Sequence, residues 1–154
     1  MPDPGVRTAG PEDAGDVGRL LHAFNREFDD PAPAPEWLAE RFRRLLAGGD
    51  TAALLVGPGP DGIAVLRFRP ALWSDALECY LAELYVTPER RGQGLGRALL
   101  DSAIGLARAR GADHMDLGTS ETDTAARGLY ESAGFVRREH PPDGPIMFVY
   151  EREL

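Results

Sequence analysis

The chain has 154 residues, 43% apolar and 27% charged, a length and balance that suit one folded core and exclude a disordered or fibrous chain. Its longest apolar runs, such as residues 52–56, fall far short of the roughly 20 residues that a bilayer-spanning helix needs, and Met1-Pro2-Asp3-Pro4-Gly5 lacks the basic patch and apolar stretch of a secretory signal. A net charge of -8 argues against nucleic acid, whose phosphates are met with Lys and Arg, and favours a cationic partner.

A short strand is expected at residues 6–9. After Pro11, Glu12 and Asp13 give an acidic first turn, and Val17, Leu20, Leu21, Phe24 and Phe28 recur at three- and four-residue steps, which predicts an amphipathic helix ending near Asp29. Pro35 and Glu36 open a second helix, its apolar stripe formed by Trp37, Leu38, Phe42, Leu45 and Leu46 and read as core-facing, and Gly48-Gly49 stops it. Strands at 51–56, 62–68 and 78–87 follow, the first two joined by a turn of Gly, Pro and Asp that suggests an antiparallel meander. Past Pro88, Leu95, Leu99, Ala103 and Leu106 step by four, four and three, predicting a long helix that Gly111 terminates. A strand at 114–117, a helix at 122–133 ending at Gly134, and closing strands near 135–138 and 146–151 complete the chain. The order β-α-α-β-β-β-α-β-α-β-β is a mixed α/β (α+β) arrangement with helices on the faces of a sheet. No repeat or linker divides it, so 1–154 reads as one domain.

The stretch richest in chemistry is Glu83-Leu84-Tyr85-Val86-Thr87-Pro88-Glu89-Arg90-Arg91-Gly92-Gln93-Gly94-Leu95-Gly96-Arg97. A strand runs into a glycine-dense turn that opens a helix, so backbone N–H groups without intrahelical partners converge at the positive end of the helix dipole, a place that binds phosphates. Glycine at 92, 94 and 96 permits unusual dihedrals and leaves no Cβ against a phosphate, while Arg90, Arg91 and Arg97 add positive charge in an acidic chain. No Lys-Ser or Lys-Thr follows, so this is not a P-loop. A dinucleotide fingerprint fails at its third glycine, where Arg97 stands, although Asp113 and Asp116 lie near its acidic position. From the glycines alone, a turn that merely starts a helix remains the competing reading.

Arg91-x-x-Gly94-x-Gly96, following Leu84-Tyr85-Val86-x-Pro88 and preceding Ala98-Leu99-Leu100, resembles the acyl-CoA diphosphate loop of the GNAT superfamily of N-acetyltransferases. A second block, Asp123-x-x-Ala126-x-x-Leu129-Tyr130-Glu131-x-x-Gly134-Phe135, resembles the helix and turn that flank the pantetheine arm in that family. The resemblance covers nearly the whole chain. It implies a single GNAT-like domain with a central, mostly antiparallel twisted sheet of about seven strands and about four helices, acetyl-CoA as cosubstrate with no metal, and an amine as acceptor. By the same resemblance, Arg91, Gly92, Gln93, Gly94, Leu95, Gly96 and Arg97 surround the diphosphate. Leu84, Tyr85 and Val86 run beside the pantetheine, and a backbone N–H there polarises the thioester carbonyl. Asp123 stands where the family usually has Asn, and a carboxylate cannot donate the hydrogen bond an amide can. Tyr130 takes the place of the general acid that protonates the CoA sulfur; a tyrosine in such a helix turn is otherwise a core residue.

Glu83 is the candidate base, on the face of Tyr85 and opposite Leu84 and Val86 by strand alternation, with a salt-bridged or solvated strand carboxylate as the plainer reading. Glu78 is the runner-up, and the resemblance also allows no dedicated base, the amine losing its proton to solvent. For the acceptor, Phe28, Asp29 and Asp30, with Glu27, mark the end of the first helix, which the resemblance places at the acceptor cleft, and Trp73 lies on a loop suited either to its rim or to loop packing. An acidic mouth would draw a polyamine, an aminoglycoside or a lysine side chain. His22, His114 and His140 show no metal-ligand spacing, the run Arg137-Arg138-Glu139-His140 is too short and mixed for a nucleic-acid patch, and Cys79 reads as a packed thiol. As the single cysteine, Cys79 cannot close an intramolecular disulfide, so a reducing, cytoplasmic compartment is expected, with no membrane partner. Two alternatives stay open: a catalytically silent acyl-CoA sensor or interaction module, and a homodimer formed through the apolar closing segment 146–150.

Overall fold

The computed structural model describes residues 5–154, and the leader reading of the first residues therefore lies largely outside the described residues. The chain falls into two compact units, one running through Asp116 and the other Leu117–Leu154.

The first unit contains β1 (Arg7–Thr8), a 3-10 turn, α1 (Ala14–Glu27), α2 (Pro35–Ala47), β2 (Thr51–Val56), β3 (Gly62–Pro70), β4 (Leu77–Val86), a second 3-10 turn (Pro88–Arg90), α3 (Leu95–Ala109) and β5 (Ala112–Asp116). The strands lie in the order β1-β2-β3-β4-β5, antiparallel throughout except for the parallel pair β4-β5. That parallel pair is possible because α3 supplies the crossover.

One face of the sheet carries α1 and α2. Val17 and Leu20 of α1 and Ala39 and Phe42 of α2 pack with Ala53, Leu55, Ile63, Val65 and Tyr85. The two helices approach closely at Gly18, where an added Cβ would overlap the Pro35 carbonyl and stand 3.0 Å from the Ala39 nitrogen. Trp37, expected in the buried stripe of α2, is 52% exposed; Ala39 and Phe42 carry the buried face because the close crossing at Gly18 selects a small residue there. The opposite face is covered by α3, whose Leu95, Leu99, Leu100, Ala103 and Ala107 are buried against β2, β3 and β4. β2, covered on both sides, is buried along its whole length.

The second unit holds α4 (Thr124–Ser132), closed by Gly134 with φ 93°. The two closing strands expected here do not form. The described residues contain five strands rather than seven, with a single bridge between Arg138 and Ile146 where a ladder was expected. Pro141, Pro142 and Pro145 between the two segments have no N–H to donate. Beyond the Met147 N–H bond to the Arg137 carbonyl the segment stays exposed, Phe148, Val149 and Tyr150 at 74%, 77% and 91%.

Candidate active site

β4 ends at Val86 and leads through the turn Pro88–Arg90 to Gly94, the residue that caps α3. Gly94 has φ 83° and ψ 7° and Gly92 has φ 76°, the left-handed region that costs an ordinary side chain about 1–2 kcal/mol. A Cβ added at either glycine would meet no atom within 4 Å. The glycines thus serve the turn and leave the space beside the helix end clear. The first bond into α3 runs from the Ala98 N–H to the Gly94 carbonyl at 3.0 Å, so the N–H groups of Leu95, Gly96 and Arg97 precede the first helical acceptor. Donors of this kind at the positive end of a 15-residue helix fit a diphosphate.

The guanidinium charge expected to assist them is already engaged. Arg90 donates to Asp61 at 3.0 Å and to the Gln93 Oε1 at 3.2 Å. Arg97 pairs with Asp101 at 3.0 Å, one helical turn on. Arg91 donates through Nη2 to both oxygens of Glu27 at 2.8 Å and through Nε to the Val86 carbonyl at 3.0 Å. Its guanidinium carbon also lies 5.7 Å from the centre of the Tyr85 ring. Glu27 was read as an acceptor-facing acid and Asp61 was not singled out; their partners are 64 and 29 residues distant in sequence, beyond any local signal.

On β4 the register against β3 shifts between Val65 and Leu66: Val65 faces Glu83 while Leu66 faces Leu81, so Ala82 is an extra, bulged residue. Leu81 and Cys79 are buried on the α3 face, whereas beyond the bulge Glu83 and Tyr85 lie on the α1 and α2 face, as their partners Val65 and Ile63 show. Glu83 is half-buried and has no hydrogen-bond or ion-pair partner among the described residues; burial raises its carboxyl above the ordinary range. Glu78 shares its face, because the bulge restores the parity, but is held by Arg69 at 2.5 Å. Tyr85 is buried, stacks on Phe24 at 4.8 Å, and donates to Glu27 at 3.2 Å. Burial first, then the Glu27 carboxylate, raises its phenol. β5 pairs with β4 only as far as Tyr80 and Asp116. From Leu81 on, through Leu84 and Val86, the strand ladder of β4 is with β3 alone.

At the end of α1, Phe28, Asp29 and Asp30 are exposed; the Phe28 and Asp30 N–H groups close on the Asn25 carbonyl, and Asp29 adopts φ 56°. Trp73 is 92% exposed on the loop between β3 and β4, so the loop-packing reading does not hold. Cys79 is buried and its thiol is pushed up to about 11, by burial first and then by Asp116, which suits a packed, unreactive group. No cluster of potential metal ligands occurs among the described residues.

In the second unit, Asp123 caps α4, one carboxylate oxygen accepting from the Ala126 N–H at 3.0 Å. An asparagine would cap equally well through its oxygen and keep an NH₂ to donate; Asp123 keeps only a second acceptor. Tyr130 is half-buried on α4, edge-on to Phe135 at 6.0 Å.

The sequence profile of the Acetyltransferase (GNAT) family matches residues 19–135. The chain belongs to the GNAT acetyltransferase family. The crystal structure of a candidate acetyltransferase from Arthrobacter sp. FB24 superposes with a TM-score of 0.89 at 46% identity, covering 97% of this chain and 96% of that one. The mycothiol acetyltransferase of Thermobispora bispora is 48% identical over 108 residues, 68% of this chain and 31% of that protein. The aminoglycoside N(6')-acetyltransferase type 1 of Klebsiella aerogenes is 34% identical over 91 residues, 55% of this chain and 60% of that protein. This GNAT chain thus spans less than half of the length of the mycothiol acetyltransferases it matches, 23% and 31% in two cases and 43% in another.

Proposed function

We propose that this chain transfers the acetyl group of acetyl-CoA to a primary amine, either of a small molecule, with polyamines and aminoglycosides as the first classes, or of a protein. The observation that carries this reading over a silent acyl-CoA sensor is Glu83, a carboxylate desolvated and without a partner on the strand leading to the amide-lined helix end. A structural carboxylate at that depth would be expected to be paired, as Glu78 is. Relatives named for mycothiol and for aminoglycosides support amine acetylation without choosing the acceptor.

In this reading the N–H groups from Gln93 to Arg97 hold the diphosphate of acetyl-CoA, and the edge of β4 at Leu84, Tyr85 and Val86 receives the pantetheine as an added strand. Acetyl-CoA supplies the activated thioester. Glu83 removes a proton from the ammonium, directly or through a water, so that the nitrogen lone pair can attack the carbonyl carbon. Collapse of the resulting tetrahedral intermediate breaks the C–S bond, Tyr130 supplies the proton that the departing thiolate takes up, and the proton shed by the new amide nitrogen passes to solvent and restores the phenol, while Asp123 contributes only an acceptor toward the pantetheine. Phe28, Asp29, Asp30 and Trp73 attract and border the acceptor, while Glu78 is set aside by its pairing with Arg69. We also propose that the two units act as one catalytic domain. A cytoplasmic location is proposed on the buried free thiol of Cys79, and a homodimer on the exposed apolar segment around Phe148 and Tyr150.

The test is thiol release from acetyl-CoA with a panel containing a polyamine, an aminoglycoside, a lysine peptide and a neutral amine. Turnover with any of them supports the transferase. Saturable CoA binding with no turnover across the panel would leave the sensor reading in its place.

A further inference from the structure

All three arginines of the loop carry a carboxylate partner, and that of Arg91 lies in the last turn of α1. Its partner Glu27 is the final residue of α1, a position where a negative charge is disfavoured by the helix dipole and therefore needs a reason. Glu27 accepts both from Arg91 and from the Tyr85 hydroxyl. Arg91 in turn holds the Val86 carbonyl. One carboxylate therefore fastens together the end of α1, the side chain of β4 that faces α1, and the start of the glycine turn. Arg91 uses Nε and Nη2 in these bonds, and its Nη1 has no protein acceptor among the described residues. The guanidinium is thus fixed in orientation with one donor edge left over.

We infer that Glu27 is a positioning residue through which occupancy of the diphosphate loop is transmitted to the end of α1, ordering Phe28, Asp29 and Asp30. This rests on the loop being the acyl-CoA site. The physical basis is that an anion at the helix end restrains Arg91 and the turn that carries it. Because the same guanidinium is bonded to Glu27 at 2.8 Å, restraint at one end is restraint at the other. The backbone closure of α1 is otherwise light: the Phe28, Asp29 and Asp30 N–H groups bond only to Asn25 and Arg26 carbonyls in an exposed turn. A weakly closed turn of this kind is the kind of element whose opening equilibrium a bound ligand can shift. By reciprocity, a ligand that orders the end of α1 would tighten the loop's hold on the diphosphate.

The experiment is amide hydrogen exchange at residues 28–30 with and without saturating coenzyme A, in the native chain, in Glu27→Gln and in Arg91→Gln, with binding of coenzyme A measured on each by calorimetry. The expected result is exchange slowed about fivefold by coenzyme A in the native chain and unchanged by it in both variants, at ligand concentrations where the variants are saturated. A merely structural Glu27 would raise exchange in the variant but leave the ligand-induced difference in place, and that result overturns the inference. Equal exchange with and without coenzyme A in the native chain overturns it too. No binding of coenzyme A by the native chain would instead refute the loop assignment and the inference with it. If Glu27→Gln does not fold, Arg91→Gln decides; if neither folds, the pair holds the fold rather than relaying occupancy, and the inference is wrong.

Discussion

Gly94→Asp separates stability from cofactor binding more cleanly than any other single change. Gly94 has φ 83°, a region that Asp tolerates better than most residues, and the strain is about 1 kcal/mol. Asp is also a favoured helix cap, worth about 1 kcal/mol when its carboxylate accepts from the first helical N–H groups. The space for it is open, since nothing lies within 4 Å of the added Cβ. The two effects nearly cancel, so Tm should move by no more than about 4 °C. Binding has no such compensation. The new carboxylate occupies the same N–H groups that are assigned to the diphosphate, and a unit charge about 5 Å from another at an effective dielectric near 20 is repelled by about 3 kcal/mol. That corresponds to at least about two decades in Kd for coenzyme A. Gly94→Ala is the control: it keeps the strain of about 1–2 kcal/mol without the charge, so it should lose more Tm and less affinity. Scanning calorimetry and titration calorimetry on the three proteins give both numbers. A folded Gly94→Asp variant with Kd within threefold of the parent would refute the assignment of the loop.

Glu83→Gln should lower kcat by about a hundredfold or more if Glu83 is the base, and it should remove an acid limb in the rate profile that lies above the ordinary carboxylate range. The same variant should be more stable than the parent at neutral pH. Burial raises the folded-state pKa above the usual 4.5, so the folded chain keeps a proton the unfolded chain has released, and stability falls as pH climbs from 4.5 through the raised value. The two proteins should therefore converge in Tm below pH 4.5, and a parent more stable than Glu83→Gln at pH 8 would contradict that account. Tyr130→Phe should reduce kcat by about tenfold or more with the Kd for coenzyme A unchanged; an equal rate removes Tyr130 from the chemistry. Replacing Asp29 and Asp30 together by Asn should raise the acceptor KM and flatten its dependence on salt, and an unchanged KM would assign both residues to solvent. Raising ionic strength from about 0.05 to 0.3 M should leave the Kd for coenzyme A level or tighter, since the Debye length falls toward 10 Å and below and mainly screens the chain's own negative field; a tenfold loss would mean that uncommitted cations hold the diphosphate.

Much of this architecture was legible from periodicity, because elements that bury a face must repeat at the period of their secondary structure. The 51–56 strand, the helix from Pro35 and the helix from Leu95 are recovered at or near their bounds. The glycine turn was legible as well, since left-handed backbone at Gly92, Gly94 and Gly111 can be anticipated wherever glycine follows or precedes a periodic segment. The closing strands were not, because a run of strand-forming residues reports a capacity to pair and not the presence of a partner. Residues 146–150 are apolar without a break, yet three prolines precede them and one bridge is all that forms. The bulge at Ala82 was equally hidden. Strict alternation places Glu78 and Glu83, five residues apart, on opposite faces; the extra residue brings them to one. Nothing in the composition of Leu81-Ala82-Glu83 announces this, since it is set by the pairing of β4 with β3.

The role of the arginines shows why charge read from sequence misleads at short range. Arg90, Arg91 and Arg97 look like a cationic collar for an anion, yet Asp61, Glu27 and Asp101 reach them at 2.8–3.0 Å. What remains for a diphosphate is chiefly the field of oriented peptide dipoles at the head of α3, which acts over a few ångströms and fades within a turn. In a chain of net charge -8 this arrangement has a consequence for selectivity. The net negative charge opposes long-range attraction for polyanions in general, so in the proposed reading an anion is held by fitting the spacing of the amides from Gln93 to Arg97. The ion pairs meanwhile tie the loop to the turn at Asp61 and to the end of α1 at Glu27. In the proposed reading, specificity for one diphosphate would follow from neutral donors at the head of α3, with the arginines holding the loop that presents them.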